Sequence, residues 1–242
     1  MWKLEQLSYH HGDLRNTLVN VGLSMLNDKG VAGISMREIA RNIGVGHNAP
    51  YRHFRNKQAL LEAIASDGFR RLKARNTRLE LEFANDPEAQ LFESAMHIIG
   101  MAADQSNLFQ LMFGGHLQPQ KSGSGLKKAA DEAMQSLVGI IKNGQKQRVF
   151  IKGDPTTLAL SAMSMVQGVA IMVFCGKLRP QIKSQSSSQS SSRPSSRPMD
   201  EAQAERQDKV WANQQTLLRG MVLQLFDVFL LGLKEKNQSA PK

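Results

Sequence analysis

Apolar side chains recur along this chain with the three- and four-residue spacing that places them on one face of an α-helix. The first run contains Leu14, Leu18, Val21 and Met25. Because the same spacing returns throughout the sequence, we predict an all-α fold. The predicted helices cover residues 13–30, 35–43, 47–54, 57–78, 87–103, 108–113, 126–147, 156–176 and 200–236.

The stretch from Ser35 to Phe54 has the features of two short helices joined by a tight turn. Ser35 can cap the first helix by accepting a hydrogen bond from the backbone N–H of Glu38, and Gly44 can end it in the left-handed conformation. Pro50 fits the first turn of a following helix, where backbone N–H groups lack intrahelical partners. The pattern predicts a helix-turn-helix whose second helix begins about three residues before the proline.

The second of these helices presents side chains that can bond to nucleic acid. His47, Asn48, Tyr51, Arg52 and His53 can each hydrogen-bond to base edges or to phosphates. Asparagine pairs well with adenine and arginine with guanine, whereas tyrosine suits phosphate contacts. An ordinary helical hairpin with a polar face has the same spacing, so these residues alone leave both interpretations open.

Two segments resemble the tetracycline-repressor-like (TetR/AcrR) transcriptional regulators. They are GVGHNAPYRHFRNKQALLEAI, Gly44–Ile64, and YHHGDLRNTLV, Tyr9–Val19. The resemblance implies a three-helix DNA-binding domain over residues 1–56 and a helical ligand-binding and dimerisation domain over residues 57–242. The DNA contacts that we expect from the resemblance and from side-chain chemistry are Arg37, His47, Asn48, Ala49, Tyr51, Arg52, His53 and Lys57.

The charge of the chain favours a polyanionic partner. Its formal net charge is +10 and its isoelectric point is about 9.9. Residues 1–75 contain 12 Lys and Arg against 6 Asp and Glu, so much of the excess lies in the part that includes the helix-turn-helix. We therefore expect a double-stranded DNA operator as a partner.

The carboxyl-terminal part is rich in methionine and contains a second resemblance. AMSMVQGVAIMVF, Ala162–Phe174, is similar to the W-x-x-V-H-G segment of one ligand-domain subgroup, with Met163 replacing tryptophan and Gln167 replacing histidine. A small hydrophobic effector would fit an apolar cavity with one polar group. Core packing is the more common role of such side chains, and the candidate lining residues are Met101, Phe109, Phe113, Met134, Met165 and Gln167.

The last predicted helix is apolar over more of its circumference than one packing partner needs. Its polar residues Arg219, Gln224, Asp227 and Lys234 project within an arc of roughly 140° at 100° per residue. We therefore expect this helix to cover its own domain and also a second subunit of a homodimer. The candidate interface residues are Met172, Met221, Leu225, Val228 and Phe229.

Three further features concern the cellular setting. The uncharged run Thr156–Gly176 is long enough to cross a bilayer, but Gln167 at its centre favours a buried helix, so we expect no membrane contact. Residues 183–198 are serine-rich and predict a disordered loop. The single cysteine, Cys175, cannot form an intramolecular disulfide, so we expect a cytoplasmic protein with a buried structural thiol at this position.

These observations together predict a ligand-responsive transcriptional regulator, in the form of a repressor that binds a palindromic operator as a dimer and leaves it on binding a small hydrophobic ligand. A constitutive DNA-binding regulator or an activator would show the same amino-terminal third. A helical enzyme and a membrane-anchored regulator are more remote alternatives. The sequence contains no recognised catalytic motif or metal-ligand cluster, so we expect no enzyme activity, cofactor or metal site.

Overall fold

The structure, a computed structural model, describes residues 14–117, 124–178, 216, 218–228, 230 and 232 of the 242-residue chain. These residues form helices joined by short turns, which confirms the all-α prediction. The helices are α1 (Leu14–Gly33), α2 (Met36–Ile43), α3 (Lys57–Glu82), α4 (Pro87–Asp104), α5 (Ser106–Phe113), α6 (Ser124–Lys146), α7 (Pro155–Phe174) and α8 (218–228), with a turn of 3-10 helix at Pro50–Arg52.

The first three helical segments enclose a small core of their own. Leu18 and Leu26 of α1 are fully buried, and Ile39 of α2 and Phe54 are buried with them. Gly30 interrupts α1 with a positive φ of 68°, as the sequence predicted for the end of this helix, and one further turn follows it. The amino-terminal unit is therefore a packed support for the short segment between Gly44 and Phe54.

Helix α3 connects this unit to the rest of the molecule. Its first half buries Leu60 and Ile64 beside α1, and its second half buries Leu72 and Leu79 along α6. A Cβ added at Gly68 would lie 2.4 Å from Sδ of Met112, so α5 also packs tightly on the middle of α3. One continuous helix of 26 residues thus contacts both halves of the protein.

A buried polar network joins the end of α3, the start of α4 and the end of α6. Gln90, which is fully buried, donates from Nε2 to the Phe83 carbonyl at 2.6 Å and accepts from Asn143 at 3.3 Å. Gln147 donates to the Ala84 carbonyl at 3.0 Å. These bonds satisfy the polar groups of the α3–α4 turn and stabilise its position against α6.

Helix α7 packs against α4 and α6 but leaves a wide apolar face exposed. Ala159, Ala162, Val166 and Ala170 are buried, whereas Leu160, Ile171, Met172 and Phe174 are exposed. This helix is long and apolar enough to cross a membrane, but the core helix of a soluble protein can have the same length and composition. Our expectation of no membrane contact therefore stays a prediction.

Cys175 is exposed, so the prediction of a buried thiol is wrong. The reason is that α7 ends at Phe174, and the apolar run that contains the cysteine extends one residue past the packed helix. The amino-terminal segment to Asp13, the serine-rich segment 183–198 and the side chain of Phe229 lie outside the described residues.

Candidate functional site

The turn after α2 is fixed by backbone hydrogen bonds. The Ser35 hydroxyl accepts from the Glu38 N–H at 3.4 Å, as predicted for the helix start. Gly44 adopts the left-handed conformation, with φ 78° and ψ 28°. Its N–H donates to Arg41 at 3.2 Å and the N–H of Val45 donates to Ala40 at 3.0 Å, the paired bonds of a Schellman motif. The chain therefore leaves α2 in one defined direction.

The second helix of the pair is tighter than the α-helix that the sequence predicted. Its backbone bonds mostly span three residues, from Ala49 to Gly46 at 2.8 Å and from His53 to Pro50 at 3.1 Å, and only Pro50–Arg52 forms regular 3-10 helix. Short segments of this kind commonly close as 3-10 turns because too few residues are available for a stable α-helix. The second helix of the predicted helix-turn-helix is thus a compact turn over residues 46–54, which we call the reading turn.

This turn buries two residues and exposes the polar ones. Pro50 and Phe54 are buried, whereas His47, Asn48, Tyr51, Arg52 and His53 are exposed and Ala49 is half-buried. Arg37, at the start of α2, is exposed as well. The structure therefore presents the predicted DNA-contact residues of the turn on an accessible surface, with amide, imidazole, phenol and guanidinium groups that can bond to bases and phosphates.

Two contacts from α1 stabilise the position of the turn. The guanidinium carbon of Arg15 lies 5.1 Å from the centre of the Phe54 ring, a cation–π contact. Lys29 forms an ion pair with Glu38 of α2, and this hydrogen bond holds the pKa of the Glu38 carboxyl below its usual range. Neither contact was predicted, because each joins residues of two separate elements of the fold.

The start of α3 lies beside the same surface. Asn56 caps the helix by accepting from the Ala59 N–H at 2.9 Å, as the sequence predicted. The half-buried Lys57 donates from Nζ to the Ala32 carbonyl at 3.3 Å, so it also ties α3 to the end of α1. An ammonium group has three donors, so this bond leaves two for a phosphate beside the positive end of the helix.

The carboxyl-terminal half contains two adjoining cavities. The larger, of about 420 Å³, lies among α3, α4, α5, α6 and α7, and we call it the inner cavity. The smaller, of about 170 Å³, lies between α5 and the end of α7, and we call it the outer cavity. Phe113 and Gln167 line both, so these two side chains form the boundary between them.

Four of the six predicted ligand contacts line these cavities. Phe113, Met134 and Gln167 line the inner cavity, and Phe109 joins Phe113 and Gln167 around the outer one. Met101 is buried and Met165 packs against the core, and neither belongs to either lining. For these two positions the core interpretation, which the sequence left open, agrees with the packing.

Sequence reasoning missed the polar groups of the inner cavity. Asn76 and Ser94 line it, although only 6% and 5% of their surfaces are exposed. Each interrupts an otherwise apolar helix face: Asn76 lies between Leu72 and Leu79 of α3, and Ser94 lies beside Leu91 on α4. A polar residue at a core-facing helical position was the available signal.

Helix α5 connects the cavities to the amino-terminal unit. Phe109 and Phe113 lie 5.3 Å apart between ring centres, and they line the cavities from this helix. At its other end the side chain of Asn107 donates to the Asn27 carbonyl of α1 at 3.0 Å. A shift of α5 would therefore displace the end of α1, just before the Gly30 interruption.

The exposed apolar residues of α7 and α8 include most of the predicted dimer contacts. Met172, Leu225 and Val228 are exposed, Val228 by 71% of its surface, and Met221 is half-buried. The opposite face of α8 buries Leu218, Val222 and Phe226 against the rest of the chain, with Phe226 at 5.4 Å from Phe92 between ring centres. The apolar surface of α8 is thus divided between a face that packs on the rest of the chain and a face that is exposed to solvent.

Comparisons with known proteins match the amino-terminal unit first. Residues 18–64 match the model of "Bacterial regulatory proteins, tetR family". The chain is 48% identical over 50 residues to the tetracycline repressor protein class A from transposon 1721 of Escherichia coli, a match that covers 21% of this chain and 23% of that repressor. The chain thus matches about a quarter of the length of this curated relative.

Solved structures match much more of the fold. A protein of unknown function from Rhodococcus sp. RHA1 is 28% identical, with a TM-score of 0.70 over 95% of this chain and 100% of the other. AibR in complex with isovaleryl coenzyme A and operator DNA is 18% identical, with a TM-score of 0.51 over 87% and 97%. A TetR-family transcriptional regulator from Pectobacterium atrosepticum is 19% identical, with a TM-score of 0.53 over 66% and 81%.

The sequence matches cover the segment that builds the exposed turn and its supports, and the structural matches extend the same all-α architecture over the carboxyl-terminal half. Residues 18–64 therefore match the tetR family of bacterial regulatory proteins, and the chain shares the all-α fold of solved TetR-family regulators.

Proposed function

We propose that this protein is a DNA-binding transcriptional repressor of bacterial genes, which binds a palindromic operator as a homodimer and is released from it by a small hydrophobic ligand. The observation that carries the proposal is the turn over residues 46–54, which exposes five side chains suited to bases and phosphates while Pro50 and Phe54 anchor it in the core. Such a regulator would act in the cytoplasm, where the chromosome lies.

Each exposed polar side chain of the turn, and Arg37 and Lys57 near it, has a proposed role that follows from its chemistry. Asn48 would bond to adenine and Arg37 to guanine, with His47 as a further base contact. Tyr51, His53 and Lys57 would bond to phosphates, and Arg52 suits either role. Arg37, Arg52 and Lys57 would place positive charge against the DNA backbone.

The dimer would form through the uncovered faces of α7 and α8. Leu225 and Val228 are apolar side chains exposed to solvent, and the four exposed apolar residues of α7 extend this surface. A soluble monomer rarely exposes so many neighbouring apolar side chains without a partner. Two-fold pairing would place two reading turns on one face, so that they enter successive major grooves about 34–36 Å apart.

A ligand in the cavities would act on DNA binding through α5 and α3. It would contact Phe113 of α5, and this helix holds the end of α1 through Asn107. It would also contact Phe69 of α3, the helix that begins beside the reading turn. A ligand that fits one position of these helices better than the other shifts the spacing of the two turns. AibR shows that a chain of this fold can bind operator DNA and a small molecule at once.

Selection of DNA from a random library by the full-length protein tests the proposal. We expect enrichment of a palindromic sequence, because two identical turns read two half-sites. Asn48→Ala should lose about 1–3 kcal/mol of preference at one base pair of each half-site. Tyr51→Ala should weaken binding to all sequences alike, because a phosphate contact reads no base.

The exposed Gln135 on the outer face of α6 provides a matched control. Gln135→Ala should leave affinity and preference unchanged, since this residue lies on a helix distant from the turn in the chain and outside the amino-terminal unit. Failure to enrich any sequence would contradict the proposal. A change of preferred base with Tyr51→Ala would contradict the phosphate role of that residue alone.

A further inference from the structure

We infer that the ligand of the inner cavity is an uncharged molecule, apolar over most of its surface, that has at least one hydroxyl or carbonyl group bonded by Ser94, Asn76 or Gln167. The inference rests on the proposed function, because it names the class of compound that the proposed regulator would sense. It is carried by three polar side chains with unused hydrogen-bonding atoms and by the absence of charged groups among the described lining residues.

Ser94 is the strongest of these observations. Only 5% of its surface is exposed, it faces the inner cavity, and its hydroxyl has no hydrogen-bond partner among the described residues. Helical serines elsewhere in the protein do have one: Ser161 and Ser164 donate to the carbonyls of Thr157 and Leu160 at 3.0 and 2.8 Å. No fully buried side-chain oxygen or nitrogen of the described residues lacks a partner, so the Ser94 hydroxyl must be accessible from the space of the cavity, where a ligand can bond to it.

Asn76 offers a second unused atom. Its Nδ2 donates to the Ser136 hydroxyl at 2.9 Å, and Ser136 in turn donates to the Ala133 carbonyl at 2.7 Å. These two bonds fix the orientation of the amide, and its Oδ1 has no partner among the described residues. With only 6% of its surface exposed, Asn76 presents an acceptor to the inner cavity.

Gln167 stands at the boundary of the two cavities and can bond to a ligand in either. Its side chain has no hydrogen-bond partner within the described part of the chain, so both its donor and its acceptor are free. A carboxamide of this kind bonds equally well to a hydroxyl or to a carbonyl. The three polar groups are thus all neutral, and together they provide donors and acceptors.

The rest of the described lining is apolar, which selects against a charged ligand. None of the described residues around either cavity is Lys, Arg, His, Asp or Glu. The surface groove between α3 and α6 differs, because its lining includes Lys73 and Glu132, which pair with each other at 3.0 Å. A charge moved from water into the cavities would lose its hydration without gaining an opposite charge.

The size of the inner cavity suits a compound of moderate size. Its volume of about 420 Å³ lies within the range of about 300–1,000 Å³ that is usual for small-molecule sites. The rings of Phe69 and Phe113 meet edge to face in its wall, with their centres 5.6 Å apart, and provide apolar surface. A ligand with an aliphatic or aromatic body and a small polar group would fill this space.

Calorimetric titration of the full-length protein with matched probes at pH 7.5 tests the inference. The probes are 1-decanol and decanoate, and 2-naphthol and 2-naphthoate, so that each pair shares an apolar body and differs in charge. We expect the alcohol of at least one pair to bind at least tenfold more tightly than its carboxylate. Equal or tighter binding of both carboxylates, or no binding of either alcohol, would overturn the inference.

Two variants locate the bound group. Ser94→Ala and Gln167→Leu should each weaken binding of the preferred alcohol by about twofold to tenfold, the usual loss for one neutral hydrogen bond. Ser164→Ala, an exposed serine on α7, is the matched control and should bind as the wild type does. Thermal melting without ligand shows whether each variant is folded. Unchanged affinity in both cavity variants and in a third, Asn76→Leu, would place the alcohol elsewhere and overturn the inference.

The same samples separate this inference from the proposed function. Release of selected operator DNA is measured independently, by fluorescence anisotropy with and without the alcohol. If the alcohol binds with the expected preference but DNA stays bound, the ligand class holds and the release mechanism is wrong. If only a charged probe binds and releases DNA, the proposed function holds and the ligand class is wrong.

Discussion

His97 lies on α4 with its imidazole largely withdrawn from water. Burial lowers its pKa below the ordinary value of about 6.5, and the Arg75 guanidinium on α3 lowers it further. The folded protein therefore keeps this side chain neutral at a pH where the unfolded chain is already protonated. Below pH 6.5 the unfolded state binds the extra proton, so the stability of the fold decreases as the pH falls.

Replacement of this histidine should reduce that dependence on pH. We expect the free energy of unfolding of His97→Gln to fall less steeply than that of the wild type between pH 6.5 and 5, by at most about 1.4 kcal/mol per pH unit for a single proton. Urea denaturation at several pH values measures it. His116→Gln changes an exposed histidine and should keep the wild-type slope, and equal slopes for all three proteins would refute this account.

Near the end of α6, the ring of Phe150 packs directly against Gly144. Phe150 is 99% buried, and a Cβ added at Gly144 would lie 2.0 Å from Cδ2 of its ring. The N–H groups of Val149 and Phe150 both donate to the Gly144 carbonyl, at 2.9 and 3.2 Å, so the backbone closes around the same residue. The ring cannot retreat without losing its place in the core.

Alanine should therefore have opposite effects at two helical glycines. Gly144→Ala should destabilise the protein by about 1–3 kcal/mol, because the added methyl group overpacks the core. Gly100→Ala should stabilise it by up to about 1 kcal/mol, because nothing lies within 4 Å of the new Cβ and alanine favours helix. Chemical denaturation distinguishes the two, and a stabilised Gly144→Ala would contradict the packing at Phe150.

The conformation of the reading turn depends on how the turn is anchored in the core. The sequence predicted a helix there from Gly44, Pro50 and the polar residues between them, and the structure keeps its position but tightens it to a 3-10 turn. Pro50 is buried rather than merely tolerated, and its carbonyl accepts from the N–H of the buried Phe54 at 2.9 Å. The turn is thus anchored at two points, which limits how its five exposed side chains can move.

At the scale of the whole molecule, α7 and α8 leave an apolar surface that we assign to a second subunit. Leu225→Glu combined with Val228→Glu places two charges at exposed positions of this surface, where they would be desolvated only in a dimer. We expect a folded monomer by sedimentation velocity. Operator affinity should fall at least about a hundredfold, because two linked reading turns bind more tightly than one.

Leu81→Glu is the matched control for this prediction. Leu81 is also a highly exposed leucine, on α3, and lies outside the surface formed by α7 and α8. This variant should remain a dimer with wild-type operator affinity. A dimer that survives the double substitution on α8 would show that the subunits pair through another surface.

The domain boundary proposed from the sequence, between residues 56 and 57, falls at the start of a helix that contacts both halves. Helix α3 buries residues against α1 at one end and against α6 at the other, and α5 reaches α1 through Asn107. The carboxyl-terminal half is thus in direct contact with the support of the reading turn. A ligand that shifted α5 by a small distance would therefore move the support of the reading turn.

The sequence by itself determined the positions of most helices and several of their ends, because caps, glycine turns and helical periodicity act between residues close together in the chain. Ser35, Gly44 and Asn56 form the predicted caps and turn, and the exposed polar residues of the turn could be read from their spacing. Only the tertiary structure decided which polar residues face a cavity, since Asn76 and Ser94 come from different helices. It also exposed Cys175, excluded Met101 and Met165 from the cavity linings and divided α8 into two faces, because burial depends on which distant helices meet at a residue.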